Sequence, residues 1–324
     1  MSKCIQFVFV LILFAGPAFA LAANVDFCDR SADMLVALEK ATKLPCKQIT
    51  PDTFVKITDV DVSLTAAKLK PNDLAGLNQL ITLDLELTTA KEIPAGFFND
   101  LMGIRDFDFT SKKLTKVNEK MFSPMKSVRG FKWRDPLLHE LPNGIFADLT
   151  DLVSINLENL PLYTLEPSPF AHSPHLNVLE LPHDFKVIPV SLFKGTHAES
   201  VSFGTTGALS AKVFEDAPNI DTADIYADYS KIKIENDHFF SDKKPNWVYL
   251  HGTNLSALPA KFFNEIRRAK QINLFSTAKK IGPGANRTLT ANGFTCQMID
   301  SSTPHLMCIN WDELRGENTA VKHQ

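Results

Sequence analysis

The 324-residue sequence contains no GxSxG, HExxH, P-loop or GxGxxG segment in the strand and helix context that gives those motifs their chemistry. Nucleophilic, zinc-dependent and nucleotide-binding catalysis therefore have no anchor, and an enzyme is not expected. There is no CxxC pair, and the nearest approach to a metal cluster, His172, His175 and His183, has no acidic or thiol ligand in phase. These histidines read as solvated loop residues, and neither a metal nor a cofactor is expected. Neither sign of charge dominates: 34 Lys and Arg stand against 37 Asp and Glu, a net charge of -3, which excludes the basic balance of a nucleic-acid binder. After the N-terminus no second long apolar run occurs, and Trp311 to Gln324 is charged and polar. What is present is a 44% hydrophobic composition, enough for a sizeable core.

Residues 1–22 combine Lys3, an apolar run from Ile5 to Phe14, and Ala18, Ala20 and Ala22 at AxA spacing. This is the pattern of a secretory signal peptide, cut after Ala22 or, as the second choice, after Ala20. A run of about ten apolar residues falls short of the ~20 that a membrane-spanning helix needs. Cys28 has no lipobox around the cleavage site, so a lipoprotein is not expected. The mature chain is expected to be secreted or periplasmic, without an integral membrane segment. Cys4 is removed with the peptide, leaving Cys28, Cys46, Cys296 and Cys308, an even number that in an exported chain suggests disulfides with three possible connectivities.

An apolar anchor returns at Leu74, Phe98, Phe122, Phe146, Phe170, Phe193, Phe214, Phe239 and Phe263, roughly every 24 residues. Six, nine and eleven residues after most anchors stand three more apolar positions, such as Leu80, Leu83 and Leu85, or Leu152, Ile155 and Leu157. The period-two spacing predicts a short strand, and the Pro or Gly and Phe that follow turn the chain back. One unit slips by a residue, giving Val201 and Phe203. A single unit cannot bury its own apolar face, so the Phe column reads as a stacked core. The clearest unit, Leu141 to Leu157 (LPNGIFADLTDLVSINL), resembles the extracellular form of the leucine-rich repeat, LPxxxFxxLxxLxxLxL. The resemblance implies an α/β-type repeat solenoid: a horseshoe with a parallel concave β-sheet, a helical N-terminal cap and a disulfide-containing C-terminal cap. The expected organisation is a signal peptide at 1–22, a cap and entry strand at 23–70, about nine repeats at 71–281, and a C-terminal cap and tail at 282–324.

The sequence departs from the family where an Asn usually bonds the turns together. Thr88, Lys112, Pro136, Leu160, Asp184, Asp228, Thr253 and Thr277 occupy those positions, so water or the Thr and Asp side chains must satisfy the turn backbone. Met34, Leu35, Leu38 and Ala41 share one face of a predicted capping helix over Ser31 to Thr42, and Val60, Val62 and Leu64 predict an entry strand. Cys296 to Asp300 and Leu306 to Trp311 predict a hairpin around the turn-rich Ser301 to Pro304. Nine stacked strands separate the two caps by about 40 Å, beyond disulfide reach, so Cys28 should pair with Cys46 and Cys296 with Cys308.

Alternation along the strands places one set of side chains on the concave face, where repeat proteins usually bind. Asp84, Glu86, Asp106 and Asp108 form an acidic zone, followed by Arg129, Lys132 and Arg134. Lys132 is expected beside Asp108 and Arg134 beside Glu158, a ladder that mutes itself across the sheet. Toward the C-terminus, Tyr226, Trp247, Tyr249, His251 and Phe275 occupy outward positions on three consecutive strands. Exposed aromatics of this kind mark interaction surfaces, and this patch is the candidate partner-binding site unless the C-terminal cap folds over it. The expected function is an exported, non-catalytic recognition module, an adhesin, receptor-like scaffold or inhibitor, that holds a protein partner on its concave sheet. The alternative is a carbohydrate or cell-wall binder that uses the aromatic patch. Asn254 and Asn286 begin glycosylation sequons, meaningful only in a eukaryotic secretory pathway.

Overall fold

The computed structural model describes residues 26–315, apart from 190, 218, 234–238, 241–242, 256–257, 259, 277–282 and 301–304. The signal segment, Thr277 and the turn at 301–304 lie outside the described residues. A sheet of 12 strands runs through the chain. Its repeat strands are β1 (Asp59–Leu64), β2 (Thr82–Leu87), β3 (Asp106–Ser111), β4 (Gly130–Arg134), β5 (Ser154–Asn156), β6 (Val178–Glu180), β7 (Ser200–Thr205), β9 (Thr222–Asp228), β11 (Trp247–Thr253) and β12 (Gln271–Ser276). Each pairs in parallel with the next in register, Val60 with Leu83, Leu83 with Phe107 and Phe107 with Phe131. Two short strands, β8 (Leu209–Ser210) and β10 (Ile232–Lys233), pair separately. This is the leucine-rich-repeat solenoid that the periodicity predicts.

The strands form because alternate residues are apolar and the solenoid buries one face of each. In β2, Leu83, Leu85 and Leu87 are buried while Thr82 and Asp84 stand outward. Every member of the Leu and Phe anchor column, from Leu74 to Phe263, is buried. The rings interlock across repeats: Phe122 lies 5.9 Å from Phe98, 5.0 Å from Phe131 and 5.4 Å from Trp133, centroid to centroid.

The missing Asn column is replaced piecemeal. Thr88 donates its hydroxyl to the Leu64 carbonyl at 3.4 Å, and Asp228 accepts from the Ser230 N–H and the Asn254 amide at 3.1 and 2.8 Å. At the Lys112 and Pro136 turns the substitution comes one residue earlier than expected. Trp133 Nε1 donates to Ser111 Oγ, which donates to Asp135 Oδ2, while Asp135 Oδ1 accepts from the Leu137 N–H. Trp133, Ser111 and Asp135 are fully buried, and such a network holds its place only when every member is satisfied.

The capping helix α1 (Ala32–Thr42) starts at Ser31, whose hydroxyl accepts from the Met34 N–H, and it lays Met34 and Leu38 on the open end of the core. The buried Arg30 guanidinium donates to the carbonyls of Asn72, Asp73 and Ala75 and ties the cap to the first turn. Cys28 and Cys46 are bonded across α1, and the short α2 (Pro51–Phe54) leads into β1. At the other end, after α3 (Ala260–Glu265) and α4 (Pro283–Ala291), the hairpin β13 (Thr295–Asp300) and β14 (His305–Ile309) is cross-linked by Cys296 and Cys308. The second strand stops short of the predicted Trp311. Asn310 accepts from the Glu313 N–H and starts a helix, α5 (Trp311–Arg315), with Asp312 and Glu313 in its first turn. The hairpin continues the sheet, β14 pairing antiparallel with β12, so it lies beside the concave face and does not fold over it. No helix among the described residues is long and apolar enough to cross a membrane.

Candidate functional site

Parallel in-register strands bring equivalent residues of successive repeats side by side. Where those residues are aromatic, the rings stack face to face along the sheet. Tyr226 on β9, His251 on β11 and Phe275 on β12 are register partners, and their rings lie 4.2 Å apart at each step and nearly parallel, at 9° and 4°. The structure extends this stack at both ends. His183, which follows β6, stacks on Tyr226 at 3.7 Å, and His305 of β14 stacks on Phe275 at 4.0 Å. The result is a ladder of five half-buried rings, His183, Tyr226, His251, Phe275 and His305.

Trp247 and Tyr249 stand outside it. Trp247 shares its register column with Thr222 and Gln271, and Tyr249 lies between Asp224 and Asn273. The predicted patch is thus divided: three residues form the ladder and two flank it. His183 is not the solvated loop residue that its position after a strand implies. Gly204 on β7 occupies the ladder column without a side chain, so the His183 ring reaches across β7 to Tyr226. A Cβ at Gly204 would lie 2.5 Å from Tyr226 Cβ and 2.3 Å from the His183 carbonyl oxygen. The signal in the sequence was a glycine in an outward column with a histidine in the preceding turn. His305 carries no such signal, because the repeat phase does not set the antiparallel register of the cap.

A polar column holds the rings in place. His183 Nε2 lies 3.1 Å from Ser202 Oγ, and His305 Nε2 lies 3.0 Å from Asn273 Oδ1, which also accepts from the Gln271 amide at 3.3 Å. His251 Nε2 lies 3.1 Å from Asp224 Oδ1, close enough for an ion pair but not aligned as a hydrogen bond. Burial, with the Asp224 and Glu158 carboxylates nearby, pushes the Tyr226 phenol up to about 12, so it stays neutral. Burial and the same Asp224 raise Tyr249. A cavity of about 690 Å³, lined by the ring edges together with Thr205, Asp228, Gly252 and Thr253, opens at the C-terminal ends of the strands. Its volume falls within the ~300–1,000 Å³ range of ligand pockets.

Burial lowers the His183 imidazole below its ordinary value of 6.5, against the opposing pull of Glu158, Asp224 and Asp184; His251 adds to the lowering. A depressed histidine contributes stability that is fully present above its unfolded value and is lost as pH falls toward the folded value. The melting temperature should therefore hold from about pH 8 to 7 and fall as the pH drops below about 6.5, with a smaller fall in His183→Gln. Superimposable pH profiles for the two proteins would show that His183 is as hydrated folded as unfolded.

The acidic zone keeps one of its two expected neighbours, Lys132 beside Asp108 in register, and differs in the other. Asp61, Asp84 and Asp108 are register partners on β1 to β3, and burial with the Asp108 and Asp61 charges raises the Asp84 carboxyl. Arg134 turns back to Asp108, with two contacts of 2.7 Å, and to Thr110, not forward to Glu158. A guanidinium fork matches a carboxylate in this bidentate geometry. Glu158 lies past the end of β5 and faces His183 at 3.9 Å.

Among solved structures, the internalin InlF of Listeria monocytogenes is 13% identical to this chain, with a TM-score of 0.46, covering 80% of this chain and 79% of that one. The functional domain of InlJ from Listeria monocytogenes is 14% identical, with a TM-score of 0.43, covering 81% and 58%. Toll, in its complex with Spatzle from Drosophila, is 17% identical with a TM-score of 0.39 over 62% of this chain, which spans only 34% of the Toll chain. No curated protein matches the sequence. The BspA type leucine rich repeat region matches in six copies, over residues 48–176, 91–221, 136–246 and 164–292. Together with the register of the strands and the buried anchor column, this places the chain in the BspA type leucine-rich-repeat family.

Proposed function

We propose that the chain is an exported recognition module that holds a protein partner on its concave sheet, with the ring ladder and its cavity as the anchor. The observation that carries this reading is the ladder itself: five half-buried rings on the concave face beside a cavity of about 690 Å³. Binding energy concentrates where rigid aromatic side chains meet a pocket that a partner side chain can fill. Each ring of the ladder is already fixed by its neighbours, so little rotamer freedom is lost on binding. The signal pattern at 1–22 and the two disulfides support export to an oxidising compartment. Stacking of sugars, the alternative reading, needs open ring faces, and the faces within the ladder are covered by rings at 3.7 to 4.2 Å.

The test is an affinity capture from secreted and cell-surface extract with the mature protein, a His251→Ala/Phe275→Ala variant and a Trp247→Ala/Tyr249→Ala variant, all checked for folding. A protein captured by the unmutated chain, and bound about 30- to 1,000-fold more weakly by the ladder variant, is the expected result. Equal capture by all three would move the site off the C-terminal half of the sheet. Capture of a glycan, released by soluble sugar and insensitive to salt, would replace the protein partner with a carbohydrate.

A further inference from the structure

On the opposite rim, where the chain enters strands β3 to β5, two repeat columns create a second hollow of about 700 Å³. One column supplies Arg105 and Arg129, neighbours whose backbones are joined by the Arg129 N–H to Arg105 carbonyl bond of 2.7 Å. The other column runs Gly103, Ser127, Asp151 and His175, spaced 24 residues apart. Its first two members are small, and this opens the space beside the two arginines. At Gly103 a Cβ would stand 2.9 Å from the Asn78 carbonyl oxygen, so the wall cannot fill in without a backbone shift.

The charges here are unbalanced. Nearby on this sheet Arg134 holds Asp108, and Lys112 holds Glu86. Arg105 and Arg129 are exposed, and neither guanidinium has an ion pair or hydrogen bond among the described residues. Two permanently charged guanidinium groups at the entries of adjacent strands repel each other, and an oxyanion between them would relieve that repulsion and accept bidentate hydrogen bonds. The rest of the wall is mixed: Val153, next in the arginine column, is apolar, and the other column is polar. Ser127 and His175 can donate or accept, and the Asp151 carboxylate accepts only. A bare anion gains nothing from Asp151 and is repelled by it. A ligand with hydroxyl groups beside its acid group satisfies both halves of the hollow.

We infer that this hollow is a site for an acidic sugar, a hydroxylated ring that carries a carboxylate or sulfate, gripped by Arg105 and Arg129 with its hydroxyls on Ser127, Asp151 and His175. The site is separate from the ring ladder and does not depend on the protein-partner reading; variants here leave the ladder residues in place, so the two ideas fail independently.

The experiment is calorimetric titration of the mature protein at low salt, where exposed charges are least screened, with glucuronate, glucose 6-sulfate, glucose and inorganic sulfate. Either or both acidic sugars should saturate and glucose should not, the better binder naming the acid group. Arg105→Gln/Arg129→Gln, with an unchanged melting temperature, should weaken them by at least about tenfold. Asp151→Asn should weaken the sugars and leave inorganic sulfate unweakened. A uronic acid hexamer compared with the monomer separates a polysaccharide from a free sugar acid. No saturation by either acidic sugar, or binding unaffected by the double variant, would overturn the site. Inorganic sulfate binding as tightly as the sugars, with no effect of Asp151→Asn, would overturn the sugar and leave only an anion.

Discussion

Replacing Phe122 with Ala should destabilise the protein by about 3 to 5 kcal/mol, the range for emptying a large buried aromatic site. Phe122 is fully buried and its ring touches five others: Phe98, Phe107, Phe109, Phe131 and Trp133, at centroid distances from 5.0 to 6.4 Å. Phe98, Phe107 and Phe109 belong to the preceding repeat, and Phe131 and Trp133 to the repeat that Phe122 itself anchors. In a solenoid each repeat is held by its neighbours, so the cavity weakens the coupling between the N-terminal and C-terminal repeats as well as the local packing. Denaturation followed by far-UV circular dichroism should show an earlier and broader transition, tending to two steps. Val36→Ala, at a position 66% exposed on α1, should change stability by no more than about 0.5 kcal/mol. A Phe122→Ala loss below about 1 kcal/mol would mean that the neighbouring rings close the gap, and that the interlocked aromatic core is not what couples the repeats.

That core was legible because burial in a solenoid follows the phase of the repeat. Leu83, Phe107 and Phe131 share one phase, and each is buried; once the period is known, the inward face of every strand follows. Cap positions were legible for a related reason: an amphipathic helix such as 32–42 and two cysteine pairs 18 and 12 residues apart have few ways to cover an open end. Side-chain partners on the polar face were less so. Arg134 turns back to Asp108 and not forward to Glu158, a choice of rotamer that the repeat phase does not set. Turn chemistry was partly misplaced, because the buried Asp135 does from one position earlier what an Asn would do at Pro136. The candidate site was read in part for the same reason. Tyr226, His251 and Phe275 are in phase, whereas His183 enters through an irregular unit and His305 through an antiparallel strand.

The irregular unit is where one small substitution should do the most to the site. Gly204→Ala adds a single methyl group, yet that carbon would lie 2.3 Å from the His183 carbonyl oxygen and 2.6 Å from the Tyr226 carbonyl oxygen, besides its clash with Tyr226 Cβ. Backbone on both sides cannot rotate away as a side chain can, so β7 must separate from β9 or from the turn that carries His183. Overpacking of this kind costs about 1 to 3 kcal/mol. The larger consequence is geometric: the 3.7 Å stacking of His183 on Tyr226 cannot persist when the strand between them is displaced. In the unmutated protein the ring protons of His183, Tyr226 and His251 should show upfield ring-current shifts by NMR. Gly204→Ala should collapse those of His183 and reduce those of Tyr226, and should weaken capture of a partner that uses the ladder. His183→Ala provides the comparison, since it removes the first ring without pushing on β7; it should leave the Tyr226 and His251 stack intact and lose less stability. If Gly204→Ala kept the ring-current shifts and the full melting temperature, the gap in β7 would be incidental, and the ladder would begin at Tyr226 with His183 only resting against it.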